Sequence, residues 1–224
     1  MPPAKAKRAT PKRRITEKLR RQAGEVLARL EREYPEARCA LEHENPYQLL
    51  VATILSAQCT DERVNMVTPS VFERYPTPTD LARADPDELE DLIRTTGFFR
   101  SKAKNLIAMA RDVDEQYSGE VPVELEDLTT LGGVGRKTGN VVRSVAFREP
   151  GLPVDTHVTR LSRRLGLTRQ TDPVKIEFDL MPLFPAEKWG DLSLRLIQHG
   201  RRICAARTPK CGECVLNDIC PSAR

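Results

Sequence analysis

Three times in this chain an Asn or Asp is followed at once by proline and then by apolar residues spaced for a helix. The pairs are Asn45-Pro46, Asp85-Pro86 and Asp172-Pro173. An Asn or Asp side chain can accept hydrogen bonds from the free N–H groups at a helix start, and proline suits the first helical position. Each pair therefore predicts a helix start. Because no segment alternates convincingly between polar and apolar residues, we predict an all-α protein of about ten helices.

The same reasoning predicts further helix boundaries. Apolar residues at helical spacing predict a first helix from Ile15 until Tyr34, where Pro35 follows. Gly97 is expected to stop the helix that begins after Asp85. Ser101 is expected to open the next helix. We see no long internal repeat and no linker between two sequential domains.

Composition excludes some classes of protein. Of the 224 residues, 39% are hydrophobic and 30% are charged, which is ordinary for a globular chain. The longest apolar run, residues 49–55, is too short to cross a membrane, and the N-terminus lacks the apolar region of a signal peptide. We therefore expect an intracellular protein.

The charge of the chain is unevenly placed. The formal net charge is +4, but six Lys and Arg lie in residues 1–14, which leaves −2 for residues 15–224. Nucleic-acid binding by the folded part must therefore depend on local clusters of charge. Residues 1–14 are rich in Pro, Ala and basic residues, and we expect a disordered tail that touches phosphates nonspecifically. A solubilising or targeting extension is an equal alternative.

A glycine-rich turn, residues 131–138, contains Lys137. It is not a P-loop, because Arg136 stands where a P-loop requires glycine. We predict a short hairpin between two helices, in which Gly133 and Gly135 let the backbone approach a phosphate near the next helix N-terminus. The turn resembles the helix-hairpin-helix DNA-binding element. A tight helix connection without a ligand is the alternative.

Lys137 is followed 18 positions later by Asp155, which stands before Thr156-His157-Val158. A lysine amine beside a carboxylate is a candidate nucleophile toward an electrophilic carbon, and the phosphate-binding turn makes nucleic acid its natural substrate. The simpler interpretation of Asp155 is an N-cap. His157 and His199 are better explained as hydrogen-bonded structural residues.

Four of the six cysteines follow the spacing C-x6-C-x2-C-x5-C near the C-terminus. They are Cys204, Cys211, Cys214 and Cys220. In a reducing compartment such a group indicates a metal rather than disulfides. Four thiolates suit zinc or an iron–sulfur cluster, and the spacing matches neither the usual zinc pairs nor the ferredoxin runs. The residues alone leave the metal open. Cys39 and Cys59 are expected to be small buried hydrophobes.

Together, the turn with Lys137, the Val-Asp-Thr-His segment and the cysteine spacing resemble endonuclease III, a bifunctional DNA glycosylase/AP lyase family of the helix-hairpin-helix superfamily. The likeness covers nearly all of residues 15–224. It implies a [4Fe-4S] cluster with a structural and DNA-positioning use. It also implies a monomer that acts on double-stranded DNA with damaged bases or abasic sites, and that is associated with DNA in a bacterial cytoplasm or nucleoid. It also implies two all-α domains. One is a six-helix domain, residues 39–149, and the other is a discontinuous iron–sulfur cluster domain, residues 15–38 and 150–224.

The resemblance makes Lys137 the nucleophile and Asp155 the catalytic carboxylate. Lys137 would attack C1′ and form a Schiff base, and β-elimination would then cleave the strand on the 3′ side of the abasic site. Asp155 would stabilise the positive charge left on the sugar when the base departs. The resemblance further implies oxidised pyrimidines as substrates and the four C-terminal cysteines as cluster ligands.

A base inside a duplex is unreachable, so such an enzyme must flip the nucleotide and fill the gap. Gln58 matches the family's gap-filling glutamine, and Phe98 stands in the place of an intercalating aliphatic residue. A loop hydrogen bond for Gln58 and a core position for Phe98 are the alternatives. Arg207 and Lys210 stand where the family presents positive charge to DNA. The hairpin residues Gly133, Gly135 and Arg136 complete the predicted DNA contacts.

The sequence also departs from the family pattern. Gly132 replaces the usual proline, which we expect to loosen the turn, and Gly139 replaces alanine. Phe98-Phe99 is bulkier than the usual Leu-Tyr. These departures bear on the activity level and the lesion preference, not on the reaction class. Two other hypotheses stand beside the leading one: a sibling enzyme for pyrimidine dimers or mismatched adenine, and a noncatalytic DNA-binding protein. Lys137 argues against the adenine enzyme, which resembles this chain but lacks that lysine.

Overall fold

The structure is a computed structural model that describes residues 15–224. Within that range it contains eleven α-helices, five short 3-10 turns and no β-strand, which confirms the all-α prediction. None of the helices in this range is long and apolar enough to cross a membrane. The predicted basic tail, residues 1–14, lies outside the described residues.

The helices follow one another through short connections. In chain order they are α1 (Glu17–Glu33), α2 (Pro46–Leu55), α3 (Asp61–Arg74), α4 (Pro78–Ala82), α5 (Pro86–Ile93), α6 (Phe99–Tyr117), α7 (Leu125–Leu128), α8 (Arg136–Val145), α9 (Thr156–Arg164), α10 (Pro173–Leu180) and α11 (Trp189–Arg202). The three Asx-Pro predictions are confirmed. Asn45, Asp85 and Asp172 each accept a hydrogen bond from a backbone N–H in the first turn, and proline follows each.

The start predicted at Ser101 is wrong, since α6 begins two residues earlier, at Phe99. Gly97 and Phe98 both have positive φ, 71° and 50°, and Phe98 adopts left-handed helical backbone. These two residues turn the chain sharply, so the helix begins directly after Phe98. Gly97 ends the 3-10 turn Arg94–Thr96 that follows α5.

Apolar side chains form two separate cores. The first takes its buried residues from residues 41–142, that is from α2 to α8. The second joins α1 and Tyr34 to residues 152–216. Helices α8 and α11 contact each other where the two cores meet. The separation supports boundaries near residues 38 and 149, and we propose the two cores as the two domains.

Candidate active site and nucleic-acid interface

The glycine-rich turn connects α7 to α8 as a tight hairpin. The Val134 N–H donates to the Leu131 carbonyl at 3.1 Å, and Gly133 has a φ of 73°. A Cβ added at Gly133 would lie 2.6 Å from the Cβ of Asn105. Glycine is therefore required there both by the positive φ and by the close approach of α6. Gly135 is the N-cap of α8 and has open space around it. The turn therefore exposes its backbone to solvent at Gly133 and Gly135.

Gly132 does not loosen this turn as the sequence led us to expect. Its N–H donates to Asp112 Oδ2 at 2.7 Å, a bond that proline could not make. A Cβ at this position would lie 2.6 Å from the Cβ of Ala108 and 2.9 Å from the backbone nitrogen of Met109. The turn is therefore seated against α6 by close packing and by a hydrogen bond to a carboxylate.

Lys137 and Asp155 line the same cleft, which has a volume of about 500 Å³ and takes its walls from both cores. Lys137 is exposed in the first turn of α8. Asp155 is half-buried and caps α9, because its Oδ1 accepts from the Val158 N–H at 2.8 Å. The N-cap interpretation of Asp155 is thus confirmed. The cap also fixes this carboxylate at the cleft wall.

Sequence reasoning missed other residues of this cleft. Arg201 at the end of α11 donates to Asp61 Oδ2 at the start of α3 at 2.8 Å, and this ion pair joins the two halves of the molecule. Cys39 also lines the cleft, and burial raises the pKa of its thiol. Cys39 and Cys59 pack against the first core but are half-buried rather than buried.

The two predicted wedge residues share an unusual backbone. Gln58 is exposed and has a φ of 52°, and Phe98 has a φ of 50° with 66% of its surface exposed. The core position considered for Phe98 is therefore wrong. Left-handed backbone costs a non-glycine residue about 1–3 kcal/mol and persists only where the surroundings impose it. Both side chains are held out toward solvent by strained loops.

Arg136 has a partner within the protein. Its guanidinium donates two hydrogen bonds of 2.8 Å to Glu177, which is 3% exposed, and stacks over Phe178 at 5.2 Å. The structure thus differs from the expected phosphate contact through this side chain. The guanidinium is instead held by Glu177, at the first residue of α8.

The four C-terminal cysteines line one cavity of about 210 Å³. All four are half-buried, and none forms a disulfide. Burial, and then the nearby cysteines, raise the pKa of Cys214 and of Cys220. Crowded thiols of this kind become thiolates when they bind a cation. The residues therefore fit an iron–sulfur cluster.

Hydrogen bonds surround this cysteine loop. His199 is buried and contacts the Tyr34 hydroxyl through Nδ1 at 2.9 Å and Cys214 Sγ through Nε2 at 3.3 Å. Burial lowers the pKa of His199 to about 4, so the ring is neutral, which confirms its prediction as a hydrogen-bonded structural residue. Arg164 donates to Cys204 Sγ at 3.2 Å. No local sequence signal had identified Arg164.

Arg207 and Lys210 lie in the loop between the first two cysteines. Both are exposed, and both line the rim of the same cavity. Lys210 lies 3.7 Å from Glu213, so its charge is partly compensated. The loop therefore presents positive charge on the side of the molecule that holds the cysteines.

A two-core helical fold with a glycine hairpin, a lysine and an aspartate in one cleft defines a class of DNA-repair proteins. The family model described as HhH-GPD superfamily base excision DNA repair protein matches residues 51–186. The model described as iron-sulfur binding domain of endonuclease III matches residues 204–220.

Individual relatives within this class of proteins are similar to the chain over most of its length. The chain is 56% identical to endonuclease III of Synechocystis sp. over 206 residues, 92% of this chain and 94% of that protein. It is 47% identical to endonuclease III of Bacillus subtilis over 188 residues, 84% of this chain and 86% of that protein.

Two solved structures are also similar to this chain. One is a non-covalent endonuclease III–DNA complex (TM-score 0.86, 42% identity, 93% of this chain and 97% of that chain). The other is a trapped endonuclease III–DNA covalent intermediate, an estranged-adenine complex (TM-score 0.87, 43% identity, the same coverage). The chain belongs to the endonuclease III family. It is a base excision repair DNA glycosylase and AP lyase, and it binds a [4Fe-4S] cluster.

Proposed function

We propose that this enzyme removes oxidised pyrimidines from double-stranded DNA and cleaves the strand 3′ to the abasic site through a Schiff base on Lys137. One observation carries the proposal. Lys137 and Asp155 come from the starts of two different helices, and both line the cleft between the cores. The covalent DNA intermediate of the similar endonuclease III is the kind of species that a lysine nucleophile forms.

Lys137 does the covalent chemistry. Its neutral amine forms a bond to C1′ of the flipped nucleotide, the bond from C1′ to the base breaks, and the base leaves with the electron pair and gains a proton. Loss of a proton from the amine and opening of the sugar give an iminium. The iminium acidifies the C2′ hydrogen, whose removal expels the 3′ phosphate by β-elimination.

Asp155 stabilises the transition state for loss of the base. Departure of the base leaves positive charge on the sugar, and a fixed carboxylate nearby lowers the energy of that state. The hydrogen bond from the Val158 N–H holds the carboxylate in place before the reaction begins. One side chain thus serves as both helix cap and catalytic group.

Other residues bind and distort the duplex. The N–H groups of the turn at Gly133 and Gly135 and the start of α8 bind a phosphate. Gln58 and Phe98 enter the gap that a flipped nucleotide leaves. Arg207 and Lys210 contact the DNA backbone electrostatically.

We assign Cys204, Cys211, Cys214 and Cys220 as the ligands of the [4Fe-4S] cluster. Bound there, the cluster supplies a rigid cross-link rather than a reacting group. The chain's own contribution is the loop of residues 204–220, which Arg164 and His199 already attach to α9 and α11 through Cys204 and Cys214. The result is a fixed platform for Arg207 and Lys210.

Reductive trapping tests the proposal. Incubation with abasic-site DNA and borohydride should yield a covalent protein–DNA adduct, because borohydride reduces the Schiff base. Lys137→Ala should abolish the adduct and retain DNA binding. Lys175→Ala is the matched control, since Lys175 is also an exposed lysine in the first turn of a helix, and it should trap like the wild type. An adduct at wild-type yield in Lys137→Ala would move the nucleophile elsewhere.

A further inference from the structure

Lys102 is a charged residue on the buried face of α6. It is 4% exposed and lies among core residues such as Ala103 and Leu106. A buried ammonium is costly unless hydrogen bonds compensate for the lost water. Lys102 Nζ donates to the Leu55 carbonyl and to the Thr96 carbonyl, each at 2.8 Å. Burial lowers the pKa of Lys102, which reflects the cost of placing the charge there.

The two acceptors lie at the ends of two helical segments. Leu55 is the last residue of α2, and Thr96 is the last residue of the 3-10 turn Arg94–Thr96. Carbonyls at such ends have no donor within the helix and carry partial negative charge. A single ammonium satisfies both of them. It thereby joins two segments that the chain connects only through α3, α4 and α5.

Each of these carbonyls is also the point where a wedge loop leaves its helix. Gln58 comes three residues after Leu55, and Phe98 comes two residues after Thr96. Gln58, Gly97 and Phe98 all have positive φ, so both loops turn sharply just beyond the atoms that Lys102 holds. Such backbone stays in place only when its surroundings hold it.

We propose that Lys102 is a positioning residue for nucleotide flipping, because its ammonium holds the loops of Gln58 and Phe98 at one fixed spacing. The inference rests on the proposed function, in which these two side chains fill the gap in the duplex. An apolar side chain of similar length would fill the same space but would leave both carbonyls without a donor. The two hydrogen bonds therefore do what packing alone cannot, since they fix the ends of both segments relative to one amine.

Lys102→Met tests the inference, since it keeps the length of the side chain and removes the ammonium. Excision of a lesion from duplex DNA should fall by about tenfold to 10²-fold, the range expected from a misplacement near 1 Å. Lyase action on an abasic site in single-stranded DNA should stay near wild type, because that substrate needs no gap filled. A 2-aminopurine placed opposite the lesion fluoresces more strongly when binding of the protein unstacks it. This increase in fluorescence should be smaller with Lys102→Met than with the wild type, in step with the loss of excision.

Two further variants separate positioning from folding. Thr53→Val removes a buried hydroxyl of α2 that bonds only within that helix, to the Leu49 carbonyl at 2.7 Å, and it should lower stability while leaving duplex excision intact. Lys102→Gln retains one donor group and should fall between wild type and Lys102→Met. Adding Lys102→Met to a Gln58→Ala, Phe98→Ala double variant should change duplex excision little, because the side chains that it positions are already gone.

The outcomes distinguish the two proposals. If the wild type neither excises lesions nor forms the borohydride adduct, the proposed function fails. If the wild type does both while Lys102→Met matches it in duplex excision and in fluorescence, the positioning role is wrong. Equal loss on duplex and single-stranded substrates, or additive effects in the triple variant, would likewise reduce Lys102 to a structural residue.

Discussion

Arg136 and Glu177 form a two-pronged ion pair, with both hydrogen bonds at 2.8 Å, directly beside the proposed nucleophile. Arg136 begins α8, which packs with the first core, whereas Glu177 lies on α10 among residues of the second. Lys137 is the next residue along α8. The pair therefore fixes the start of the nucleophile's helix relative to the part of the protein that carries Asp155.

Glu177→Gln should lower the free energy of unfolding by about 1–3 kcal/mol, because it leaves the charge of Arg136 without its buried partner. Denaturant titration measures this loss. The control is Glu88→Gln, which disrupts a similar two-pronged pair with Arg74 on the surface and should cost about 0–1 kcal/mol. Equal effects of the two substitutions would remove any special role for Glu177.

Asp155→Asn should separate the two roles of Asp155. Asparagine caps helices as well as aspartate does, so the melting temperature should change little. The lost charge should lower base excision by about 10² or more. Asp172→Asn, at the N-cap of α10, is the matched control and should leave excision unchanged. If Asp155→Asn excised bases at a near-normal rate, Asp155 would be an N-cap with no catalytic role.

Gly132→Pro restores the residue that the family resemblance led us to expect, yet it should destabilise this protein. Proline removes the N–H that donates to Asp112 and adds atoms where α6 leaves no room. A loss of about 1–3 kcal/mol is expected from the unpaired, half-buried acceptor alone. Asp112→Ala should also destabilise by removing the same bond. A more stable Gly132→Pro in denaturant titration would contradict the seating of the turn on α6.

Gln58→Gly should make the protein more stable and less active at the same time. Glycine relieves left-handed strain of about 1–3 kcal/mol, which its larger loss of entropy on folding partly offsets, so a net gain of about 1 kcal/mol is expected. It also removes the side chain that we propose fills the gap. Duplex excision should fall more than lyase action on single-stranded abasic DNA. Ser118→Gly, at a φ of 55°, should give the same gain in stability with normal excision. Equal losses on both substrates would point to a role outside the gap.

Purified protein should contain about four iron atoms and four acid-labile sulfides per chain, as the cluster formula requires. Cys211→Ser should lower the iron content, because it removes a proposed ligand. Cys39 lies outside the cysteine loop, so Cys39→Ser should keep the full iron and sulfide content. Stoichiometric zinc without sulfide, in protein purified anaerobically from its native host, would overturn the assignment of the ligands.

Local sequence signals predicted the helices well where one residue type performs one task. Asn45, Asp85 and Asp172 cap helices because their short side chains reach neighbouring N–H groups, whatever the rest of the chain does. The start of α6 escaped prediction because Phe98 adopts a backbone that its own side chain disfavours. Only tertiary surroundings impose such a conformation.

The candidate site also has one part that local sequence predicts and another that it does not. Motif residues such as Lys137 and Asp155 are visible in the sequence because each sits in a recognisable local pattern. Their supporting contacts join distant positions, as in the Arg201–Asp61 pair, 140 residues apart along the chain. Lys102 did carry a signal, since it interrupts the apolar face of α6. Its acceptors, however, are backbone carbonyls, which every residue has, so the sequence does not show which of them Lys102 contacts.

The discontinuous second core has a consequence for synthesis on the ribosome. Helix α1 emerges first, but apart from Tyr34 the core residues that cover Leu19, Val26 and Leu30 come from residues 152–216. The first core, residues 41–142, has all of its buried residues much earlier and can fold while translation continues. The apolar stripe of α1 therefore stays uncovered on the nascent chain until α11 and the cysteine loop have left the exit tunnel.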